Sequence, residues 1–248
     1  MKIYTNHKLL KQKQRIGTIA SMVGFGIMLV ALVVSWQQPD YLIVAWTGMF
    51  LGLAIAMLGT YHVNRWVRPP LAHNLLAESL DELSGRYMLF NYVDLIPHLL
   101  LTPKGLVAIK AKKYEGPVTY DPQKEEWQGK FSLWRVYTTG LTAEGLGDPS
   151  EEVTQSRNEV LAWLQVHVPD LADDIPVAGV VLFTAPKVTL TLPEKPPITV
   201  VQADGLKEAV KKQFKLENRL RKTTYRKLSE LLIEQAKEAG ASEEKKTE

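Results

Sequence analysis

The chain has 248 residues and a formal net charge of +3, a length that fits one domain with appendages or two small ones. A charge that small makes no case for nucleic acid by itself. No cysteine is present, which excludes disulfides, thiolate metal sites and a cysteine nucleophile.

Five histidines (His7, His62, His73, His98 and His167) are scattered without the spacing of a zinc site. Residues 1–15 carry Lys2, Lys8, Lys11, Lys13 and Arg15 and no acid, and read as a basic cytoplasmic N-terminus. Residues 16–36 are uncharged and apolar, long enough to cross a hydrocarbon core of about 30 Å. A signal peptide has a shorter apolar core and a cleavage site, so this run reads as retained. After the polar turn at residues 37–40, a second uncharged run spans residues 41–63, followed by Arg65 and Arg68. Cations flank the outer ends of the pair and the turn has none. The positive-inside rule therefore predicts a hairpin with both ends in the cytoplasm of a multi-pass inner-membrane protein. Trp36, Tyr41, Trp46, Tyr61 and Trp66 lie near the run ends, where amphipathic rings prefer the interface.

Gly48, Gly52 and Ala56 repeat every four residues, and Ala20 and Gly24 do the same on the first run. Small residues allow close helix contact in lipid. Two readings follow: a homo-oligomer seam, or packing of the hairpin's own helices, which is the preferred one.

Residues 64–70 form a linker stiffened by Pro69 and Pro70. Residues 71–83 predict an amphipathic helix with Leu76, Leu80 and Leu83 on one face and Gly85 as its stop. Residues 87–93 predict a strand. Next come two apolar runs, 99–101 and 106–109, joined by Thr102-Pro103-Lys104-Gly105. Proline suits the second position of that turn and glycine closes it, so this is a hairpin of buried strands. Its second strand ends in Lys110, Lys112 and Lys113. Residues 116–120 are a further short strand, and residues 124–129 and 131–138 a further hairpin whose Trp127 and Trp134 cover the sheet. Residues 139–147 form a glycine-rich loop.

Asp148-Pro149-Ser150-Glu151 is a helix start, predicting a helix to about residue 168 with Val153, Val160, Leu161, Leu164 and Val168 inward. Residues 176–183 are a buried central strand. Residues 187–197 are a proline-containing excursion, 198–202 a last strand, and 204–214 a helix. A C-terminal helix occupies residues 215–241, with Leu220, Leu228, Leu231 and Leu232 in a stripe and Gly240 at its end. The charged tail, residues 242–248, is expected to be disordered. The strand–helix–strand order predicts parallel crossovers, hence an α/β mixed sheet flanked by helices.

His98, Leu99 to Leu101, Gly105, Ile109, Lys112, Tyr114 and Gly116 fall in register with the central hairpin of the NERD, or nuclease-related, family. Over residues 71–212 the element order also resembles that family, a relative of the restriction-endonuclease-like fold. The resemblance implies a site in which an Asp and a Glu hold Mg²⁺ and a Lys steadies the attacking water. Lys112 matches the family lysine, and Gln155 lies near a glutamine the family often carries. The acids depart from the pattern. Pro97 stands for the Asp, Lys110 for the Glu, and His73 for a Glu of the first helix. A lysine in place of a carboxylate reverses the charge and repels Mg²⁺. Asp94 and Glu115 are the displaced acids that could substitute.

Asp94, His98, Lys110, Lys112 and Gln155 are thus expected to be remnants of a site with no metal and no cofactor. Lys110, Lys112 and Lys113 read either as a solvated strand end or as a phosphate-binding remnant. Lys211, Lys212, Lys215, Arg219, Arg221 and Lys222 form a basic run suited to nucleic acid or anionic lipid, or simply a solvated helix face. The expected protein is a non-catalytic, membrane-anchored NERD-like domain. It would bind nucleic acid or a protein partner at the cytoplasmic surface. A Mg²⁺-dependent nuclease with a rearranged site and a structural membrane assembly protein are the alternatives.

Overall fold

The computed structural model describes residues 1–129, 144–214 and 219–244. The predicted hairpin arm at residues 131–138 with Trp134, most of the loop at 139–147, and Lys215 lie outside these residues. The described residues divide into two compact units: residues 9–71, and a domain that takes residues 1–8 together with the described residues from Ala72 onward.

The first unit is a helical hairpin. Helix α1 spans His7–Gln37 and α2 spans Leu42–Trp66, joined by a short 3₁₀ turn at Pro39–Tyr41. Both are long and apolar enough to cross a membrane. The helix starts nine residues before the apolar run, at His7, so most of the basic N-terminal segment is helical. Small residues line the inner seam. Gly24 lies against the backbone of Gly52 and Ala56, Gly59 against Ser21, and Gly17 against His62, with no room for a Cβ at any of them. Gly48 faces Ala31. Gly52 and Ala56 are thereby buried within one chain. Gln14 Nε2 donates to the carbonyl of Trp66 at 2.8 Å, tying the two outer ends together. The outward side chains, Met22, Phe25, Leu29, Ile43 and Phe50 among them, are apolar and exposed.

The second unit is a mixed α/β domain. Its main sheet has seven strands in the order β10-β1-β2-β3-β4-β7-β9. These are β1 Lys2–Thr5, β2 Met88–Val93, β3 Ile96–Thr102, β4 Gly105–Lys112, β7 Val177–Phe183, β9 Thr199–Gln202 and β10 Ser242–Glu243. Strands β2, β3 and β4 run antiparallel as the turn residues required, while β4, β7 and β9 are parallel. Gly105 has φ +155° and packs against the carbonyl of Pro176 and the ring of Phe214, a position closed to a side chain.

The alternation of the strands feeds two faces. Leu99, Leu101, Leu106 and Ala108 point to one layer with Val160 and Leu164 of α4 (Pro149–His167) and Leu228 and Leu232 of α6 (Lys222–Glu238). Leu89, Leu100, Val107 and Ile109 point to the other, with Leu76 and Leu80 from the region of α3 (Ala72–Ser79) and Leu206 and Val210 of α5 (Ala203–Lys212). Each fully buried leucine contributes on the order of 1.5–3 kcal/mol. Helix α4 begins as its sequence dictates: the Asp148 carboxylate accepts from the backbone N–H of Ser150 and Glu151, with Pro149 in the first turn.

Four expectations are corrected. Residues 2–5 are not a free basic end. They form β1, parallel to β2, with Tyr4 stacked on Phe90 at a ring distance of 5.2 Å. Ser242 and Glu243 of the tail form a strand, pairing antiparallel with Thr5 and Tyr4. The excursion at 187–197 contains β8, Val188–Thr191, which joins β5 (Gly116–Asp121) and β6 (Glu126–Gly129) in a second, three-stranded sheet. The last helix begins at Lys222, later than its leucine stripe suggested, since Leu220 instead donates its N–H to the carbonyl of Pro103.

The N-terminal strand gives a direct test. Tyr4 is only 4% exposed, so Tyr4→Ala is expected to cost about 3–5 kcal/mol in denaturant unfolding of the full chain in detergent. A change within about 0.5 kcal/mol is what a free N-terminus would give.

Candidate functional site

After β4 the chain forms β5 and β6, then α4, and returns as β7, parallel to β4. That crossover sets the N-terminal turn of α4 beside the C-terminal end of β4, where ligand crevices of open sheets form. Lys110 and Lys112 stand there two residues apart, on one face. Glu152, in the first turn of α4, reaches both. One carboxylate oxygen accepts from Lys112 Nζ, and the other lies 3.2 Å from Lys110 Nζ. The Lys112 side chain is 2% exposed and that of Glu152 is 29% exposed. Gly147 (φ +57°) passes so close that a Cβ there would lie 2.7 Å from Glu152 Oε1. The Glu144 carboxylate accepts from the backbone N–H of Lys113 at 3.0 Å. The strand end is held from the other side by Thr184, whose N–H donates to the carbonyl of Lys112 at 2.9 Å.

The remnants expected from the sequence do not form one site. Leu99 pairs with Ala108, and continuing that register sets His98 opposite Ile109 and Lys110 opposite Pro97. Paired residues share a face, so His98 lies with Ile109 on the α3 side of the sheet. Lys110 and Lys112 lie on the α4 side. His98 is buried, with Nδ1 2.8 Å from Asn91 Oδ1, and Asn91 Nδ2 donates to Thr5 Oγ1 at 3.1 Å. Its ring meets Tyr92 edge-on at 4.9 Å, and Tyr92 meets His73 at 5.7 Å. Tyr92 adopts φ +60°, a conformation that costs a non-glycine residue about 1–3 kcal/mol.

Gln155 is exposed on α4 and donates to Glu159 at 3.0 Å, away from the lysines. Asp94 is exposed at the β2–β3 turn, and Glu115 lies in the link between β4 and β5. Neither is a salt-bridge partner of Lys110 or Lys112; that partner is Glu152. Glu152 was missed because it sits one residue beyond the capping motif and one residue before the inward Val153. The signal was the crossover itself, which brings the first turn of α4 to the end of β4.

The solvated-strand reading of the lysines is corrected at Lys112, which is buried, and Lys110 is partly covered by the same carboxylate. The basic run is split between elements. Lys211 and Lys212 end α5, while Arg219, Arg221 and Lys222 lie at the start of α6, all exposed.

A mixed sheet with a lysine pair at the end of its central hairpin, met by a carboxylate from the following crossover helix, defines the site. A family model, NERD (nuclease-related domain), matches residues 71–184, the segment that contains this hairpin, α4 and β7. Comparison with curated proteins found no match. Comparison with solved structures found none either.

Magnesium, which the resemblance to nuclease-related domains implies, requires several oxygen ligands in near-octahedral geometry. The carboxylate paired with Lys112 is bonded to two ammonium groups, and that of Glu144 is taken by the Lys113 N–H. Among the described residues no group of three or more His, Asp or Glu is placed to hold a metal ion. These residues do not fit a Mg²⁺ ion.

Glu152→Gln leaves a buried ammonium without its counter-charge and is expected to cost about 3–5 kcal/mol in unfolding free energy. Combining it with Lys112→Met should restore most of that loss, whereas a purely exposed pair would give under about 1 kcal/mol in either variant. Burial, chiefly, holds the His73 imidazole below its ordinary value of 6.5, with His7 acting in the same direction and Glu244 opposing. The folded state therefore favours neutral His73. Its contribution to stability is present above pH 6.5 and declines as pH falls below that value toward the lower folded one. Imidazole resonances followed by NMR should show His73 titrating below the free-histidine value, and a His73→Gln variant should lose that acid-side slope.

Proposed function

We propose that this chain is a membrane-held nuclease-related domain that binds nucleic acid without cleaving it. The observation that carries this reading is the Glu152 carboxylate bridging Lys110 and Lys112. A lysine that steadies an attacking water must face the scissile phosphate with its charge available. Here Lys112 is buried, and both ammonium groups share one carboxylate. Binding, in contrast, needs only exposed cations facing a phosphate backbone. Lys211, Lys212, Arg219, Arg221 and Lys222 supply these, together with the family's relation to nucleases.

The anchoring half of the proposal rests on connectivity. Strand β1 precedes the hairpin and the rest of its sheet follows it, so both ends of the hairpin belong to one folded domain. If the two apolar helices span a bilayer, that domain must lie wholly on one side. The cations flanking the hairpin support the cytoplasm as that side.

Full-length protein in detergent should retain single- or double-stranded DNA or RNA on a column in a salt-dependent manner. It should leave the strands intact in Mg²⁺ or Mn²⁺, with Lys112→Ala changing neither result. Divalent-dependent cleavage lost in Lys112→Ala would establish the nuclease alternative instead. No retention, with a co-purifying protein or self-association, would establish the assembly role.

A further inference from the structure

Beside the β3–β4 turn a cavity of about 390 Å³ is lined by Lys104, Asp174, Arg219, Arg221 and Thr224, with Leu171, Pro176 and Leu220 as its apolar wall. It lies away from the lysine–glutamate cluster and shares no lining residue with it. Three cations face one carboxylate. Helix α6 starts at its edge, and Arg221, at the cap position, makes no side-chain hydrogen bond to the free N–H groups of the first turn. That turn contains no acid. A helix start of this length with open N–H groups favours an anion.

A second observation points the same way. Thr224 is 6% exposed and lines the cavity, yet its hydroxyl has no hydrogen-bond partner among the described residues. That hydroxyl opens into the cavity, where it can donate to a ligand or a water. Lys104 is held in place by donating to the carbonyl of Phe214 at 3.4 Å, and Leu220 is fixed by its N–H bond to Pro103.

We propose that this cavity binds a phosphate monoester, the terminal phosphate of a nucleic-acid strand. The guanidinium groups of Arg219 and Arg221 would clamp its oxygens, and Thr224 and the α6 N-terminus would donate to it. A terminal phosphate carries more charge than a backbone diester and has one substituent instead of two, which suits a cavity better than an open face. The inference rests on the nucleic-acid reading above and sharpens it, from any strand to phosphorylated ends.

The test uses full-length protein in detergent and two oligonucleotides of one sequence, one phosphorylated at its end and one with a terminal hydroxyl. The phosphorylated strand should bind at least about tenfold more tightly, equivalent to about 1.4 kcal/mol, and inorganic phosphate should erase the difference. Arg219→Ala combined with Arg221→Ala should abolish the preference, as should the near-isosteric Thr224→Val. Lys212→Ala, a cation outside the cavity, should weaken both strands equally. Equal binding of the two strands by the wild type overturns the cavity proposal and leaves nucleic-acid binding standing. If neither strand binds, the proposed function falls. A competing effect of phosphatidic acid nanodiscs on phosphate binding, without any preference for the phosphorylated strand, would assign the cavity to lipid and overturn the nucleic-acid assignment.

Discussion

A buried ammonium needs a counter-charge, and the end of the central hairpin is arranged around that need. Lys112 is carried into the protein by strand β4, where its neighbours Ile109 and Ala108 are core residues. An unpaired charge there would cost several kcal/mol. Glu152 meets it from the first turn of α4, where the helix dipole favours a carboxylate, and the same carboxylate reaches Lys110. The rest of the local architecture serves that contact. Asp148 fixes the start of α4, and Gly147 allows the preceding chain to pass close to the carboxylate. Thr184 holds the end of β4. Lys110 and Lys112 do not form an open cationic patch; they form a charge cluster neutralised in part by a helix carboxylate.

The second constraint is topological. The seven-stranded sheet is assembled from both sides of the helical hairpin, because β1 comes before α1 and β2 after α2. Tyr4 stacks on Phe90 and its hydroxyl donates to Glu243 at 3.1 Å, so the N-terminal strand is gripped by the core on one side and by the last strand on the other. Burial and that carboxylate push the Tyr4 phenol up to about 12. If such a hairpin crosses a bilayer, its two ends must lie on the same side. The seam of the hairpin is filled by its own small residues, Gly24 against Gly52 and Ala56 and Gly59 against Ser21.

Much of this was legible where local chemistry is strong. Thr102-Pro103-Lys104-Gly105 gave the turn, Asp148-Pro149 gave the start of α4, and Gly240 (φ +82°) ends α6 as a left-handed residue should. The two apolar runs gave the hairpin. What could not be read depended on long-range pairing. Lys2–Thr5 has no strand signal of its own; it is a strand because β2 and β10 lie beside it. The two-residue β10 is too short for any pattern, and Val188–Thr191 alternates but is hemmed in by prolines. At the site, the hairpin placed Lys110 and Lys112 correctly on one strand. Grouping His98 with them ignored the alternation that turns it to the opposite face. Glu152 became visible only once the crossover brought α4 to the end of β4.

The central claim is that Glu152 neutralises the two site lysines and is not a ligand for a divalent ion. Titration of full-length protein with Mn²⁺, followed by electron paramagnetic resonance, tests this most directly. The account predicts that any bound Mn²⁺ is unaffected by Glu152→Gln. A saturable Mn²⁺ site that disappears in Glu152→Gln and strengthens in Lys110→Ala would contradict it.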